Sequence, residues 1–366
     1  MSLKKDRFNL FDKKNMRFAI NLAKNRNGLT GTNPSVGCVI VKNKNIISYG
    51  ATNFNGRPHA ETIALNKSKN KNLNSSIYLT LEPCSHYGKT PPCTKAIIKS
   101  KVRNVYYSTE DSDIKCFRKS KKILKSNKIY TKSGLLRKDV KKLYKNYDYI
   151  KKNKMPYLIG KLACSSNLFI FKNKKLITNE HSRKVSHLLR YKNQGILTSY
   201  KTVNNDNPKL NCRINGLENF SPIRLIIDKN LKIKMSSFIV NNSTRSNTVI
   251  FHNSKNIKKI NMLKYKKIKL IYSSINKHGH LDLKIIFKKI YKIGIHNLLV
   301  ECGSILTSNI LKEKLFNEFY LFKSSKKIIS KNAINVNNIN KILNKNFKSK
   351  KNVNTYLDKD SLIHYY

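Results

Sequence analysis

His59, Glu61, Cys84 and Cys93 are the residues of this chain whose types and spacing could do chemistry. One imidazole and two thiolates make three protein ligands for zinc, leaving the fourth tetrahedral position open to water, as in catalytic rather than structural sites. Water on zinc becomes an attacking hydroxide near neutral pH, its pKa falling from about 16 to about 7. Glu61 lies two residues beyond His59, and on a helix such neighbours point apart, so its carboxylate can stay off the metal and handle protons. The elements that must position these groups are readable. Residues 36–41 form a buried strand that turns into a second strand over 46–49, and the loop through Gly56 and Pro58 delivers His59 to a helix reaching about Leu65. Residues 77–81 are the next strand and hand over Cys84. Pro91 and Pro92 open a helix whose N-terminal dipole favours a Cys93 thiolate. With helices over 16–23 and 119–125 and a strand over 102–107, the alternation predicts a three-layer α/β sandwich.

A histidine, a glutamate two residues on, and a later Pro-Cys pair form the signature of zinc deaminases of cytosine and adenine. Here eight residues, Ser85 to Pro92, separate the two cysteines where those enzymes have two. The insertion carries His86, Gly88, Lys89 and Thr90, a cation and polar donors suited to an anionic substrate such as a sugar phosphate. The run from Leu81 to Cys93, with His59-Ala60-Glu61 and Asn33-Pro34-Ser35-Val36-Gly37-Cys38 upstream, resembles the bifunctional deaminase–reductase family of riboflavin biosynthesis. That resemblance implies zinc-dependent hydrolytic deamination of a phosphoribosylaminopyrimidine, followed by NADPH reduction of its ribosyl chain to ribityl. It implies a cytidine-deaminase-like sandwich followed by a dihydrofolate-reductase-like domain, and a homodimer. In the first domain it assigns Glu61 to catalysis and Asn33, His86, Lys89 and Thr90 to the substrate.

In the second domain the resemblance places Arg190, Leu210, Arg213 and Glu301 at the phosphosugar. It places Ala163, Leu176, Thr202, Asp206, Gly303, Ser304, Ile305, Leu306, Thr307, Ser308 and Asn309 at NADPH. Two guanidinium groups suit phosphate, because each can make forked, charge-assisted bonds. Glu301-Cys302-Gly303-Ser304 ends a strand and starts a helix, whose free N–H groups can receive a cofactor phosphate. Three family features are altered, the first being Ser165-Ser166-Asn167-Leu168 where the family usually has Ser-Leu-Asp-Gly. A glycine-bearing turn is replaced by Ser199-Tyr200-Lys201, and a Cβ resists positive φ and crowds a close backbone approach, so a loosened cofactor contact is expected there. The loop after Asp111 reads Ser112-Asp113-Ile114-Lys115-Cys116 in place of a Pro/Gly-containing segment, which predicts a different pocket wall.

The 366 residues suffice for two domains. Strands and helices interleave again after residue 156, so the second domain is also α/β. The polar stretch 145–155 is read as the boundary, giving a deaminase domain over 1–150 and a reductase domain over 155–366. Lys plus Arg number 75 against 19 Asp plus Glu, a net charge of +56. Such a balance raises the prior for polyanions, but the lysines are dispersed among Asn and Ile with no compact basic arm, so no nucleic-acid partner is expected. Seven cysteines without a disulfide framework suit a reducing cytoplasm. The basic start, Met1 to Arg7, lacks a following apolar core, and no run approaches the roughly 18 apolar residues of a membrane span. Cys38, Cys116, Cys164, Cys212 and Cys302 read as packing thiols, and the Lys/Asn-rich stretch 330–354 has no legible pattern. Two alternatives stay open: a working deaminase beside a decayed reductase, and a nucleic-acid-editing zinc deaminase.

Overall fold

The computed structural model describes residues 8–171, 176–244 and 247–366; the basic run Met1 to Arg7 lies outside them. The chain divides into two compact units, Met1–Lys154 and Met155–Tyr366. Among the described residues no helix is long and apolar enough to cross a membrane.

The first unit runs α1 (Leu10–Arg26), β1 (Gly37–Lys42), β2 (Asn45–Ala51), α2 (Ala60–Ser68), β3 (Ser76–Leu81), α3 (Cys93–Lys99), β4 (Asn104–Thr109), α4 (Ser120–Ser126), β5 (Tyr130–Ser133), α5 (Arg137–Leu143) and α6 (Lys145–Asn153). Helix α1 begins six residues before the expected start, because Asn9 and Asp12 form a reciprocal capping box. Its buried face, Met16, Ala19, Ile20 and Ala23, recurs at helical spacing. The sheet order is β2-β1-β3-β4-β5, with β1 antiparallel to both neighbours and β3, β4 and β5 parallel.

Two glycines reveal the layers. A Cβ on Gly37 would lie 1.9 Å from the Ala19 carbonyl oxygen of α1, and one on Gly50 would lie 2.5 Å from the Ala60 carbonyl oxygen of α2. Gly50 pairs across the ladder with Cys38, so it shares a face with Cys38 and not with Gly37. Helices α1 and α2 therefore cover opposite faces, as the three-layer reading requires.

The stretch read as a boundary carries helix α6, and the division between the two units falls at its end, between Lys154 and Met155. Tyr144, Tyr147 and Ile150 recur every three residues and turn inward, while Lys145 and Lys152 face water. The expected end of the first domain at residue 150 falls inside this helix.

The second unit runs β6 (Tyr157–Cys164), β7 (Phe169–Phe171), α7 (Glu180–Tyr191), β8 (Gly195–Ser199), α8 (Tyr200–Asp206), β9 (Ile223–Ile227), α9 (Phe238–Asn241), β10 (Thr248–His252), α10 (Ile257–Tyr265), β11 (Lys269–Tyr272), α11 (Leu283–Lys292), β12 (Asn297–Val300), α12 (Ser304–Lys312), β13 (Glu318–Lys323), β14 (Ala333–Asn335), α13 (Asn337–Asn346), β15 (Lys350–Asn352) and β16 (Ser361–Tyr365). Nine strands lie in the order β11-β10-β9-β8-β12-β6-β13-β16-β15, parallel as far as β13 and antiparallel beyond. Leu158, Leu197, Phe251, Phe287, Leu298 and Phe319 form part of its core. The illegible stretch supplies β14, α13 and β15. Helix α13 turns Ile339 and Leu343 inward, and β14 pairs with β7, a partner far away in sequence. Because β12 inserts between β6 and β8, the C-terminal ends of these three parallel strands are adjacent, the place where open α/β sheets bind ligands.

Candidate functional site: a metal triangle and a strand-end cleft

His59 is the N-cap of α2, Cys84 follows β3 after a two-residue turn, and Cys93 is the first residue of α3, capped by Pro92. The ligand atoms of the three lie within 4.8 Å of one another. His59 Nδ1 is 3.3 Å from Cys93 Sγ and 3.7 Å from Cys84 Sγ, and the Cys93 backbone N–H donates to Cys84 Sγ at 3.2 Å. The Cys93 thiol hydrogen bond, resisted by burial and helped by His59, holds the Cys84 thiol down to about 4. The bond to Cys84, together with burial, pushes Cys93 up. One sulfur is thus ready as a thiolate and the other gives up its proton on metal binding. One nitrogen and two sulfurs at this spacing fit zinc.

Glu61, in the first turn of α2, is only 4 % exposed. Burial first, and then the Cys84 charge, raise its pKa, as suits a carboxyl that must both take and give protons near neutrality. His59, Cys84 and Glu61 border a cavity of about 110 Å³, small beside the roughly 300–1,000 Å³ pockets of drug-sized ligands. Asn33 and Pro34 form one wall. The Asn33 side-chain amide donates to the Gly56 carbonyl at 2.9 Å. Gly56 has φ +89°, and a Cβ there would sit 2.4 Å from Asn33 Nδ2, so this turn needs glycine.

Of the residues expected at this substrate, Asn33, His86 and Thr90 border the cavity; Lys89 is exposed and outside its lining. Others reach it that the sequence reading missed. Arg57 donates through Nη1 to Thr90 Oγ1. From α6, Lys151 Nζ meets Asp113 Oδ2 at 2.6 Å, and Tyr147 donates its hydroxyl proton to Asp111 Oδ1 at 3.0 Å. Reading α6 as a linker hid both; a Tyr147–Ile150 pair opposite lysines was the available signal.

The loop after β4 borders the cavity through Asp111, Asp113 and Cys116. Cys116 is not mere packing: its Sγ lies 3.1 Å from His86 Nδ1, and both groups border the cavity. Buried Glu82, at the end of β3, anchors the loop. Its carboxylate accepts from the backbone N–H of Asp111 (3.3 Å), Arg118 (2.9 Å) and Ser120 (3.1 Å) and from the Ser120 hydroxyl (2.8 Å).

In the second unit a cleft of about 980 Å³ opens at the ends of β6, β8 and β12. Ala163, Leu176, Thr202, Asp206, Gly303, Ser304, Ile305 and Leu306 line it, as do Arg190, Leu210, Arg213 and Glu301. Thr307, Ser308 and Asn309 do not. Only the first turn of α12 meets the cleft, and Thr307 is buried with its hydroxyl bonded to the Cys302 carbonyl at 3.3 Å. The turn expected to loosen the cofactor contact carries no backbone strain. Ser199 has φ −106°, and its Oγ accepts from Thr202 N–H at 3.3 Å, so it caps α8 without the positive φ that would demand glycine.

Arg190 departs further from expectation. Its fork is filled by Glu301, Nε to Oε1 at 2.8 Å and Nη2 to Oε2 at 2.9 Å, and Lys161 Nζ stands 3.7 Å from the same carboxylate. Burial alone would raise the Glu301 pKa, but Arg190 and Lys161 overcome it and hold the group down to about 2. Lys161 is lowered, because burial and Arg190 outweigh the attraction of Glu301.

Residues 10–109 match the family model of the cytidine and deoxycytidylate deaminase zinc-binding region, and residues 171–328 match that of the RibD C-terminal domain. With the metal triangle and the strand-end cleft, these define a zinc-dependent deaminase joined in one chain to an NADPH-dependent reductase. The riboflavin biosynthesis protein RibD of Aquifex aeolicus is 34% identical over 324 residues, covering 86% of this chain and 87% of its own. That of Buchnera aphidicola is 33% identical over 327 residues, covering 85% and 86%. The chain belongs to the RibD family of riboflavin biosynthesis proteins, and it is a bifunctional deaminase and reductase. Among solved structures, RibD of Acinetobacter baumannii superposes with a TM-score of 0.83 at 26% identity, covering 97% of this chain and 98% of that one. The diaminohydroxyphosphoribosylaminopyrimidine deaminase/5-amino-6-(5-phosphoribosylamino)uracil reductase of Thermotoga maritima gives 0.79 at 27%, with the same coverage.

Proposed function

We propose that the first unit deaminates a diaminopyrimidinone ribosyl phosphate and that the second reduces the ribosyl group of the product to a ribityl chain. The observation that carries the reading is the placement of buried Glu61 beside the His59, Cys84 and Cys93 triangle, with Glu61, His59 and Cys84 bordering a small cavity of about 110 Å³. Zinc held by the three ligands supplies the Lewis acidity that makes water a nucleophile near neutral pH. Glu61 takes the proton of the attacking water and returns protons to the ring nitrogen and the departing amine, so that water oxygen ends on the ring carbon and ammonia leaves. Asn33 and His86 orient the ring, with Thr90 and Lys89 toward the ribosyl phosphate.

In the second unit NADPH supplies the hydride, and the chain orients it. Ala163, Leu176, Thr202 and Asp206 flank the nicotinamide half, and the first turn of α12 offers N–H groups to its phosphates. Glu301, Leu210, Arg190 and Arg213 bound the phosphosugar side, with Arg213 the more available cation because Arg190 is engaged. A small molecule, not nucleic acid, is the partner, supported by the long spacer between the cysteines and the narrow cavity. Free cysteines suit a reducing cytoplasm, and a dimer is expected from family membership.

The test is to incubate purified protein with the diaminopyrimidinone ribosyl phosphate, with and without NADPH, and to read product masses. Exchange of an amino group for oxygen without NADPH, then gain of two hydrogens with it, supports both halves. Deaminated product that never gains hydrogen sinks the reductase assignment, and unchanged starting material sinks the whole reading.

A further inference from the structure

We propose that His187 and Asn211 are positioning residues of the reductase cleft, tying the loop 210–213 to helix α7 so that Arg213 presents its guanidinium to the ligand. The inference rests on the functional reading above, in which Arg213 meets the phosphosugar, and adds to it the residues that aim the cation.

Four hydrogen bonds carry it. Buried His187 accepts the backbone N–H of Arg213 at Nδ1, 3.3 Å away, and its carbonyl accepts the Cys212 thiol at 3.7 Å. Three residues further along α7, Arg190 Nη1 donates to the Asn211 carbonyl at 3.2 Å. Residues three apart share a helix face, so one face of α7 grips residues 211, 212 and 213 in turn. Asn211 extends the grip to the side chain, because its Oδ1 accepts from Arg213 Nη1 at 2.8 Å.

The loop is one that has to be held. Leu210 is buried at φ +50°, and a bulky residue stays in the left-handed region only where its surroundings determine it. Leu210 and Arg213 line the cleft, whereas Asn211 and Cys212 are outside its lining. The ties fall on backbone and on the residues turned away from the ligand, which leaves an apolar side chain and a cation facing it. Arg213 is exposed, and an untied arginine would lose rotamer freedom on binding at a cost in affinity.

His187 suits the part of an acceptor. A backbone N–H can only donate, so Nδ1 is bare and the neutral ring carries its proton on Nε2. Burial first, and then the charges of Arg190 and Arg213, hold the imidazole down to about 4, so it keeps this form at neutral pH.

The experiment follows NADPH oxidation by the full chain with the deaminated ribosyl phosphate, giving kcat and the KM for each substrate. Arg213→Ala should raise KM for the phosphosugar about 10- to 100-fold, the worth of charge-assisted hydrogen bonds. His187→Leu should raise it about 10-fold and leave kcat and the KM for NADPH within about twofold, because a misaimed group weakens binding at one end of the cleft. His187→Asn, which can offer Oδ1 in place of Nδ1, should recover most of that loss. Asn211→Ala leaves the backbone bonds of the loop and should raise the same KM about fivefold. Combined with Arg213→Ala, either His187→Leu or Asn211→Ala should add no more than about twofold, since a residue that acts through Arg213 has nothing left to aim.

The proposal is overturned if the single effects multiply in the double variants, if the loss appears in kcat or in the KM for NADPH, or if His187→Asn is as poor as His187→Leu. Should His187→Leu fail to fold, Asn211→Ala and its double variant decide the same question. A wild type that oxidises no NADPH with this substrate removes the functional reading, and this inference with it.

Discussion

Arg190 and Glu301 face each other as two planar groups joined by a pair of hydrogen bonds of 2.8 and 2.9 Å in the lining of the reductase cleft. The guanidinium that residue type alone would give to a phosphate is thereby committed to a carboxylate, with Lys161 as a second cation on the same group. The arrangement keeps the Glu301 carboxylate ionised just beyond the end of β12, among the residues that line the cleft.

That charge predicts a pH dependence. A glutamate in the unfolded chain takes its proton near 4.5, whereas folded Glu301 holds off until about 2. Below pH 4.5 the unfolded state therefore binds more protons, so the stabilisation, complete above that value, is lost as pH falls from about 4.5 toward 2. Urea midpoints of wild type and Glu301→Gln across pH 3 to 7, values chosen around the roughly 4-unit carboxylate range, should differ most at the neutral end and converge on acidification. Parallel curves would contradict the pairing.

Glu61→Gln keeps the side-chain volume and removes the proton carrier. Deamination should fall by about 10²- to 10⁴-fold while zinc stays bound, as measured by metal content and ammonia release on one preparation. NADPH oxidation with deaminated substrate should continue, because the residue belongs to the other unit. Stripping zinc with a chelator should reproduce the first effect and reverse on adding the metal back.

Glu82 is not one of the three metal ligands, but it borders the cavity and holds the wall carrying Asp111, Asp113 and Cys116. Glu82→Ala strands three backbone N–H donors and a hydroxyl, and should cost about 2–4 kcal/mol by denaturant unfolding. The KM for deamination should rise more than kcat falls, since the wall is loosened while the metal triangle stays in place. Equal losses in both would argue that Glu82 acts on the metal site itself.

Cys116 keeps its proton, burial pushing the thiol up to about 12, so it can donate to His86 Nδ1 and leave Nε2–H facing the cavity. Cys116→Ser preserves a donor and should change KM little. Cys116→Val removes it and should raise KM by about fivefold, the worth of one neutral hydrogen bond. Nitrogen NMR of His86 gives the direct check: the Nε2–H tautomer should dominate in wild type and serine variant and be lost in the valine variant.

The metal triangle was legible in sequence because its chemistry is local. His59 and Glu61 sit in one helical turn, and Cys84 and Cys93 flank a single loop, so spacing and ligand type suffice. The alternation of apolar runs likewise exposed most of the central strands, whose residues answer to a period of two or to continuous burial. Helix α6 escaped because Lys145, Lys151 and Lys152 diluted a three-residue period, and β14 escaped because a short edge pairing has no signal until its partner β7 is in place.

What sequence by itself determined is the donor set, the proton carrier and the presence of two α/β units. Only the tertiary structure decided which cations are free and which are spent. Arg57, Lys89, Lys151, Arg190 and Arg213 look alike as charges along a chain of +56. Folding sets Lys151 against Asp113, Arg190 against Glu301 and Arg57 against a hydroxyl, and leaves Lys89 in water. The reason is physical: a charge acts through whatever stands within a few ångströms of it, and those neighbours come from strands and loops far apart in the chain.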